Sequence, residues 1–149
     1  MTYRLHRTTI LAGDLPGVFA FFKNPRNLES LTPRWLGFRI VSTSDDAVRQ
    51  GTQIKYRLRL AGIPMSWTSR ITEFLNDSHF ADEQITGPYR RWYHRHSFRT
   101  VASGVEMTDE VEYELPFGAL GRLVHWLVVR HQLRAIFDYR TRVINGRFT

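Results

Sequence analysis

Polar and apolar residues alternate with a period of two through most of the chain, and the period changes to 3.6 after Pro116. Tyr3 to Leu11 alternates as a strand, with Leu5 and Leu11 on one face and Ile10 on the other. Gly13-Asp14 interrupts it, and Asp14 is placed to cap a helix that has Pro16 in its first turn and carries Val18, Phe19, Phe21 and Phe22. Asn24-Pro25 ends that helix, and a second short one covers residues 25–31 before Thr32-Pro33. Strands are expected at residues 38–43, 53–60, 65–75 and 80–86, then through the stretch that follows Gly87-Pro88 up to the turn at Ser103-Gly104, and at 105–115, with further turn signals at Gly62-Ile63-Pro64 and Asn76-Asp77. From Phe117 to about Asn145 the pattern is that of one long amphipathic helix. Leu120, Leu123, Val124, Leu127, His131, Ile136 and Phe137 form its expected buried side, with Arg122, Arg130, Arg134, Arg140 and Arg142 outside. Consecutive antiparallel strands with segregated helices make an α+β layout of one domain, residues 1–149.

The stretch GPYRRWYHRHSF, residues 87–98, departs from ordinary core patterning. Trp92, His94, His96 and Phe98 share one face of a strand, so two imidazoles sit between two large aromatics. On the next strand Val105, Met107, Asp109, Val111 and Tyr113 share a face, while Glu106, Glu110, Glu112 and Glu114 form an acidic outer side. Facing residues of an antiparallel pair have a constant number sum. A turn at Ser103-Gly104 gives 207 and places Asp109 diagonal to His96; a turn at Ala102-Ser103 gives 205 and places it directly opposite. Either register brings His96 and Asp109 into contact. On residues 80–86, Phe80 facing inward brings Asp82 and Gln84 with it toward His94, whereas a tight turn at Gly87-Pro88 turns Ala81, Glu83 and Ile85 inward; burial of the phenyl ring favours the first.

The net charge of +7 raises the question of an anionic partner. Nineteen of the 21 basic residues are arginine, spread from Arg4 to Arg147 without a block of like charge, so nucleic acid is disfavoured and contact with a membrane surface is compatible. There is no cysteine, hence no disulfide and no thiolate metal site, and the N-terminus lacks the apolar run of a signal peptide. A cytoplasmic location is expected. No motif calls for a cofactor. His94 and His96 point the same way and Asp109 could add a third donor, but nothing in the spacing makes the nitrogens converge, and no metal is expected. Nothing fixes the oligomeric state.

Four phrases, NLESLTPRWLGFRI, GTQIKYRLRLAGIP, FADEQITGPYRRWYHRHSF and DEVEYELPFGALGRL, occur in an order that resembles the START-like (SRPBCC) helix-grip superfamily. That superfamily includes the birch-pollen allergen, and the resemblance is to its bacterial polyketide cyclase/dehydrase or coenzyme Q-binding-like branch. It implies a curved antiparallel sheet of about seven strands wrapped on the C-terminal helix, with a cavity for a small hydrophobic molecule such as a lipid, quinone or polyketide between them. The residues expected there are Tyr56, Leu58, Trp67, Phe80, Asp82, Gln84, Trp92, His94, His96, Phe98, Asp109, Val111, Tyr113 and Leu127. Two uses of the polar members remain open. They hold the polar end of a bound ligand, or His96, Asp109 and His94 carry acid–base chemistry of the cyclase/dehydratase kind. Trp35 is a candidate lid at the mouth, and Gly118 and Gly121 at the helix start suit either a gate or, more in keeping with their position, ordinary capping.

Overall fold

A computed structural model describes residues Met1–Thr149. The strands are β1 (Tyr3–Leu11), β2 (Arg39–Thr43), β3 (Gln53–Leu60), β4 (Ile63–Leu75), β5 (His79–Thr86), β6 (Arg91–Val101) and β7 (Gly104–Glu114). They form one antiparallel sheet in the order β1-β7-β6-β5-β4-β3-β2, so consecutive hairpins run from β2 to β7 and the first strand pairs with the last. Helices α1 (Leu15–Lys23) and α2 (Asn27–Ser30) and a 3₁₀ turn (Arg34–Leu36) connect β1 to β2. Asp14 caps α1 as expected, its carboxylate accepting from Gly17 N–H at 2.8 Å. This is the α+β helix-grip arrangement.

Local chemistry accounts for the hairpins. Ala61 and Gly62 both have positive φ, the two-residue turn that matches strand twist, and they pair Leu60 with Ile63. On β3, Ile54, Tyr56 and Leu58 are buried while Lys55, Arg57 and Arg59 are exposed, as an alternating strand with one wet face requires. Ala102 and Ser103 form the last turn, pairing Val101 with Gly104. Gly104 lies at φ +143°, and a Cβ there would meet the Leu11 carbonyl oxygen at 2.1 Å, so the join of β1 to β7 needs glycine.

The C-terminal segment differs from the expected single helix. It comprises α3 (Gly118–Val124), a π-helical turn (His125–Val129) and α4 (Arg130–Arg147). The inward positions are Gly121, His125, Leu133, Phe137, Arg140 and Ile144, so the first half is out of phase with the apolar stripe. Gly121 packs so tightly that a Cβ would meet the Pro116 carbonyl oxygen at 2.1 Å. His125 enters the next inward place, stacking on Tyr3 at 3.5 Å and hydrogen-bonding the Tyr113 hydroxyl at 2.8 Å. Leu120, Leu123, Val124 and Leu127 consequently face outward, and His131 is exposed as well. Arg140, placed outside by its charge, is buried. The Arg7–Asp138 ion pair, at 2.6 Å, ties α4 to β1. No helix is long and apolar enough to cross a membrane.

Candidate functional site

An open cavity of about 170 Å³ lies between the concave sheet face, α4 and the α1–β2 connection. Its walls are mainly aromatic and aliphatic. Tyr56 stacks on Trp67 at 5.6 Å, Trp67 meets Trp92 edge-on at 5.2 Å, and Tyr89 lies 4.9 Å from Trp92. Leu58, Ile71, Phe80 and, from α4, Leu133, Ile136 and Phe137 complete much of the apolar lining. A buried polar side chain interrupts the aromatic part of this wall, while Asn24, Asn27 and Thr32 line it at the α1–β2 connection. Buried Ser69 accepts the Trp67 indole N–H at 3.1 Å and meets the Tyr56 hydroxyl at 3.3 Å, which satisfies both aromatic polar tips.

A charged network fills one corner. The register of β6 and β7 sets Asp109 directly opposite His96, the alternative with sum 205. Asp109 Oδ1 lies 2.8 Å from His94 Nε2 and 3.0 Å from His96 Nδ1. His96 Nε2 is 3.4 Å from Asp82 Oδ2. Arg140 Nη2 approaches from α4, 4.0 Å from Asp109 Oδ1 and 3.5 Å from His96 Nδ1. The last contact joins two donors, and the carboxylate beside them is what makes it tolerable.

The charge states follow from these neighbours. Burial pushes the Asp109 carboxyl upward, but the Arg140 charge and the hydrogen bonds from His94 and His96 outweigh it and hold the group well below the usual carboxylate range. An ionised Asp109 only accepts, so His94 donates through Nε2–H and its Nδ1 is an unprotonated acceptor. Burial, reinforced by the neighbouring His96, pushes His94 down to about 4. Burial acts against charge on His96 also, yet its bonds to Asp109 and Asp82 hold its pKa above the ordinary imidazole value. The corner therefore contains one neutral imidazole beside one imidazolium held between two carboxylates.

One donor atom from each of Asp82, His94 and His96 falls within 4.8 Å of the other two, a convergence that sequence spacing did not reveal. A divalent cation bound there would require His96 to give up the proton that two carboxylates stabilise. It would also sit close to the Arg140 guanidinium. Both terms oppose occupancy, and Asp82, Asp109, His96 and Arg140 already balance one another in charge.

Of the residues expected from sequence, Tyr56, Leu58, Trp67, Phe80, Asp82, Trp92, His94 and His96 line the cavity. The inward orientation of Phe80 and Asp82 is the one favoured by burial of the phenyl ring. Asp109 stands behind the histidines. Phe98 is core, packed on Phe19 at 5.3 Å and Phe22 at 5.3 Å where α1 covers the sheet. Val111 is buried opposite His94 and Tyr113 turns to His125, so neither reaches the cavity. Gln84 lies beyond the β5–β6 ladder and holds the turn instead, donating to Tyr89 O at 2.7 Å and accepting from Tyr89 N–H at 3.1 Å. Leu127 is 67% exposed on the outer side of the π turn. Trp35 is exposed outside the lining, whereas its neighbour Leu36 faces in. Gly118 opens α3, and the close packing of Gly121 is fixed structure with no space for a gate. Sequence reading missed Arg140, Tyr89 and Ser69. None had a sequence signal: Tyr89 sits in an irregular bend ahead of β6, where the alternation of that strand would have turned it outward.

Residues 14–137 match the model of a family described as polyketide cyclase / dehydrase and lipid transport. No curated protein matches the chain in sequence. Among solved structures, ginseng major latex-like protein 151 from Panax ginseng is similar over 99% of this chain and 98% of its own, with a TM-score of 0.70 and 14% identity. Norcoclaurine synthase from Thalictrum flavum, in complex with dopamine and hydroxybenzaldehyde, is similar over 100% and 90%, with a TM-score of 0.69 and 13% identity. The di-domain ARO/CYC StfQ from the steffimycin biosynthetic pathway is similar over 97% of this chain and 50% of its own, with a TM-score of 0.74 and 14% identity. At these identities the likeness is one of fold.

Proposed function

The chain belongs to the polyketide cyclase / dehydrase and lipid transport family, and from that membership and the shape of its cavity we propose that it binds a small, mainly apolar molecule carrying one hydrogen-bonding group. The observation that carries this is an aromatic-walled space with a single charged corner whose carboxylates are already paired with His94, His96 and Arg140. A cavity of about 170 Å³ compares with the roughly 150 Å³ that holds benzene in an engineered protein. One substituted ring or a short branched chain fits without rearrangement, whereas a long acyl chain requires sheet and helix to part. The Thalictrum neighbour was solved with dopamine and hydroxybenzaldehyde, each a single substituted ring. Burial against Trp67, Trp92 and Phe137 supplies the affinity, and His94 Nδ1, which makes no hydrogen bond within the chain, accepts from a ligand hydroxyl.

The same corner supports a second reading, a cyclase or dehydratase in which His94 takes a proton at Nδ1 while Asp109 fixes its tautomer at 2.8 Å. A general base works best with its pKa near the operating pH. His94 near 4 is too weakly basic, and His96 holds its proton between two carboxylates. With both ring systems already committed to Asp109 and Asp82, the corner favours holding a ligand over transforming it. The test is titration of the purified protein with 2-naphthol, followed by the indole N–H signals of Trp67 and Trp92, alongside mass spectrometry of compounds extracted from it. Saturable shifts, reduced at least tenfold in affinity by Leu133→Trp, are expected. Absence of both saturable shifts and any co-purifying compound rejects the binding function. Turnover of a β-polyketone that survives in wild type and is lost in His94→Gln with affinity kept within a few-fold transfers the assignment to the enzyme.

A further inference from the structure

The segment from Leu115 to Phe137 contains no acidic residue and three arginines. Its inner face is taken by Gly121 and His125, which leaves the apolar stripe without a partner in the chain. Phe117 is 79% exposed, Leu120 60%, Leu123 55%, Trp126 61% and Leu127 67%, with Val124 and Val128 beside them. Isolated exposed apolar residues are ordinary, but a contiguous group on one helix marks an interaction surface. Arg122, Arg130 and Arg134 lie in the same segment, and none of them has an ion-pair partner. The Arg130 guanidinium sits 3.8 Å from the Trp126 ring centre, which holds the indole and a cation side by side. Arg130 and Arg134 also border one groove next to Trp126, where Arg4 is neutralised by Glu112 at 3.3 Å and the two helix arginines carry the unpaired charge.

We propose that α3 and the π turn form a docking surface for an anionic lipid bilayer. Charge decides among occupants. A second copy of a chain carrying +7 would set unpaired arginines against arginines, and the segment offers no carboxylate to offset them. An anionic bilayer accepts both parts of the surface. Leucines, valines and Trp126 enter the boundary between headgroups and acyl chains, and the arginines meet phosphate. The inference is independent of the cavity reading, because none of these exposed side chains lines the cavity.

Co-sedimentation with vesicles tests it. The full chain should pellet with phosphatidylcholine vesicles containing 30% phosphatidylglycerol and stay in solution with phosphatidylcholine alone. Binding should weaken at least tenfold in 0.5 M salt. Leu123→Glu/Leu127→Glu and, separately, Arg122→Glu/Arg130→Glu should each reduce partitioning at least tenfold while leaving the melting temperature and 2-naphthol affinity unchanged. Equal partitioning of wild type and both variants overturns the proposal. A homodimer that Leu127→Glu dissociates, measured by light scattering without lipid, also overturns it and assigns the surface to a second copy. Loss of 2-naphthol binding with vesicle binding retained rejects the cavity reading alone.

Discussion

Asp109→Asn examines the organisation of the charged corner most directly. The substitution keeps the volume of the side chain and one acceptor for His94, so no cavity is created, but it removes the anion that His94, His96 and Arg140 share at 2.8, 3.0 and 4.0 Å. Arg140 then faces His96 Nδ1 at 3.5 Å with no carboxylate between them, and Asp82 remains as the only nearby negative charge. Removing one partner of a buried ion pair costs about 3–5 kcal/mol, largely through the uncompensated charge left behind. At about 2–4 °C per kcal/mol for a chain of this length, the melting temperature should fall by roughly 6–20 °C. Urea unfolding at pH 7, followed by far-UV circular dichroism, measures the free energy. Adding Arg140→Met to Asp109→Asn removes the stranded cation, so the pair should be non-additive by at least about 1 kcal/mol. An Asp109→Asn loss below about 1 kcal/mol with an unchanged denaturant slope would refute the network, as would additivity within about 0.5 kcal/mol.

The two imidazoles should act oppositely on pH dependence. His94 titrates near 4 in the folded state and near 6.5 unfolded, so the unfolded chain takes the proton first and stability falls as pH drops through that window, by up to roughly 3 kcal/mol. His96 has a raised pKa, so its contribution is complete below about 6.5 and is lost as pH rises through its folded value. Urea midpoints should fall less steeply between about pH 6.5 and 4 in His94→Asn, while the loss at lower pH that belongs to Asp109 persists, and should lose the alkaline limb in His96→Asn; an unchanged slope in the first or a surviving limb in the second would contradict these charge states. At Gly104, replacement by Ala forces a Cβ to within 2.1 Å of the Leu11 carbonyl, whereas Gly62, also at positive φ, has nothing within 4 Å. Thermal melts should therefore show Gly62→Ala costing about 1 kcal/mol and Gly104→Ala clearly more; equal costs would mean that the β1–β7 join is not tight.

Strand positions were legible because one sheet face is buried and the other is wet. The alternation through residues 53–60 marks β3 to the residue for that reason. The pairing of His96 with Asp109 was legible only to within one step. Parity requires an odd sum, but the choice between 205 and 207 rests on which two residues turn, and Ala102-Ser103 and Ser103-Gly104 are both plausible chemically. Gln84 shows where parity stops. It obeys the alternation, but the β5–β6 ladder ends at Glu83, and a side chain beyond the ladder serves the nearest unpaired backbone.

By itself the amino-acid pattern determined that this chain makes a half-buried antiparallel sheet, a bent pair of short helices and a helical C-terminus, and that two histidines share a face with tryptophan. These are properties of periods of two and 3.6, which local sequence carries completely. Tertiary structure alone decided the phase of the C-terminal helix and the burial of Arg140. An apolar stripe states which side of a helix is hydrophobic, not which side meets the sheet; the close fit of Gly121 on Pro116 and the π turn at His125 chose the opposite face. A lone arginine on a helix belongs in water until a distant carboxylate offers to neutralise it. Asp109 is 31 residues away in sequence and at 4.0 Å in space, and only folding brings it there.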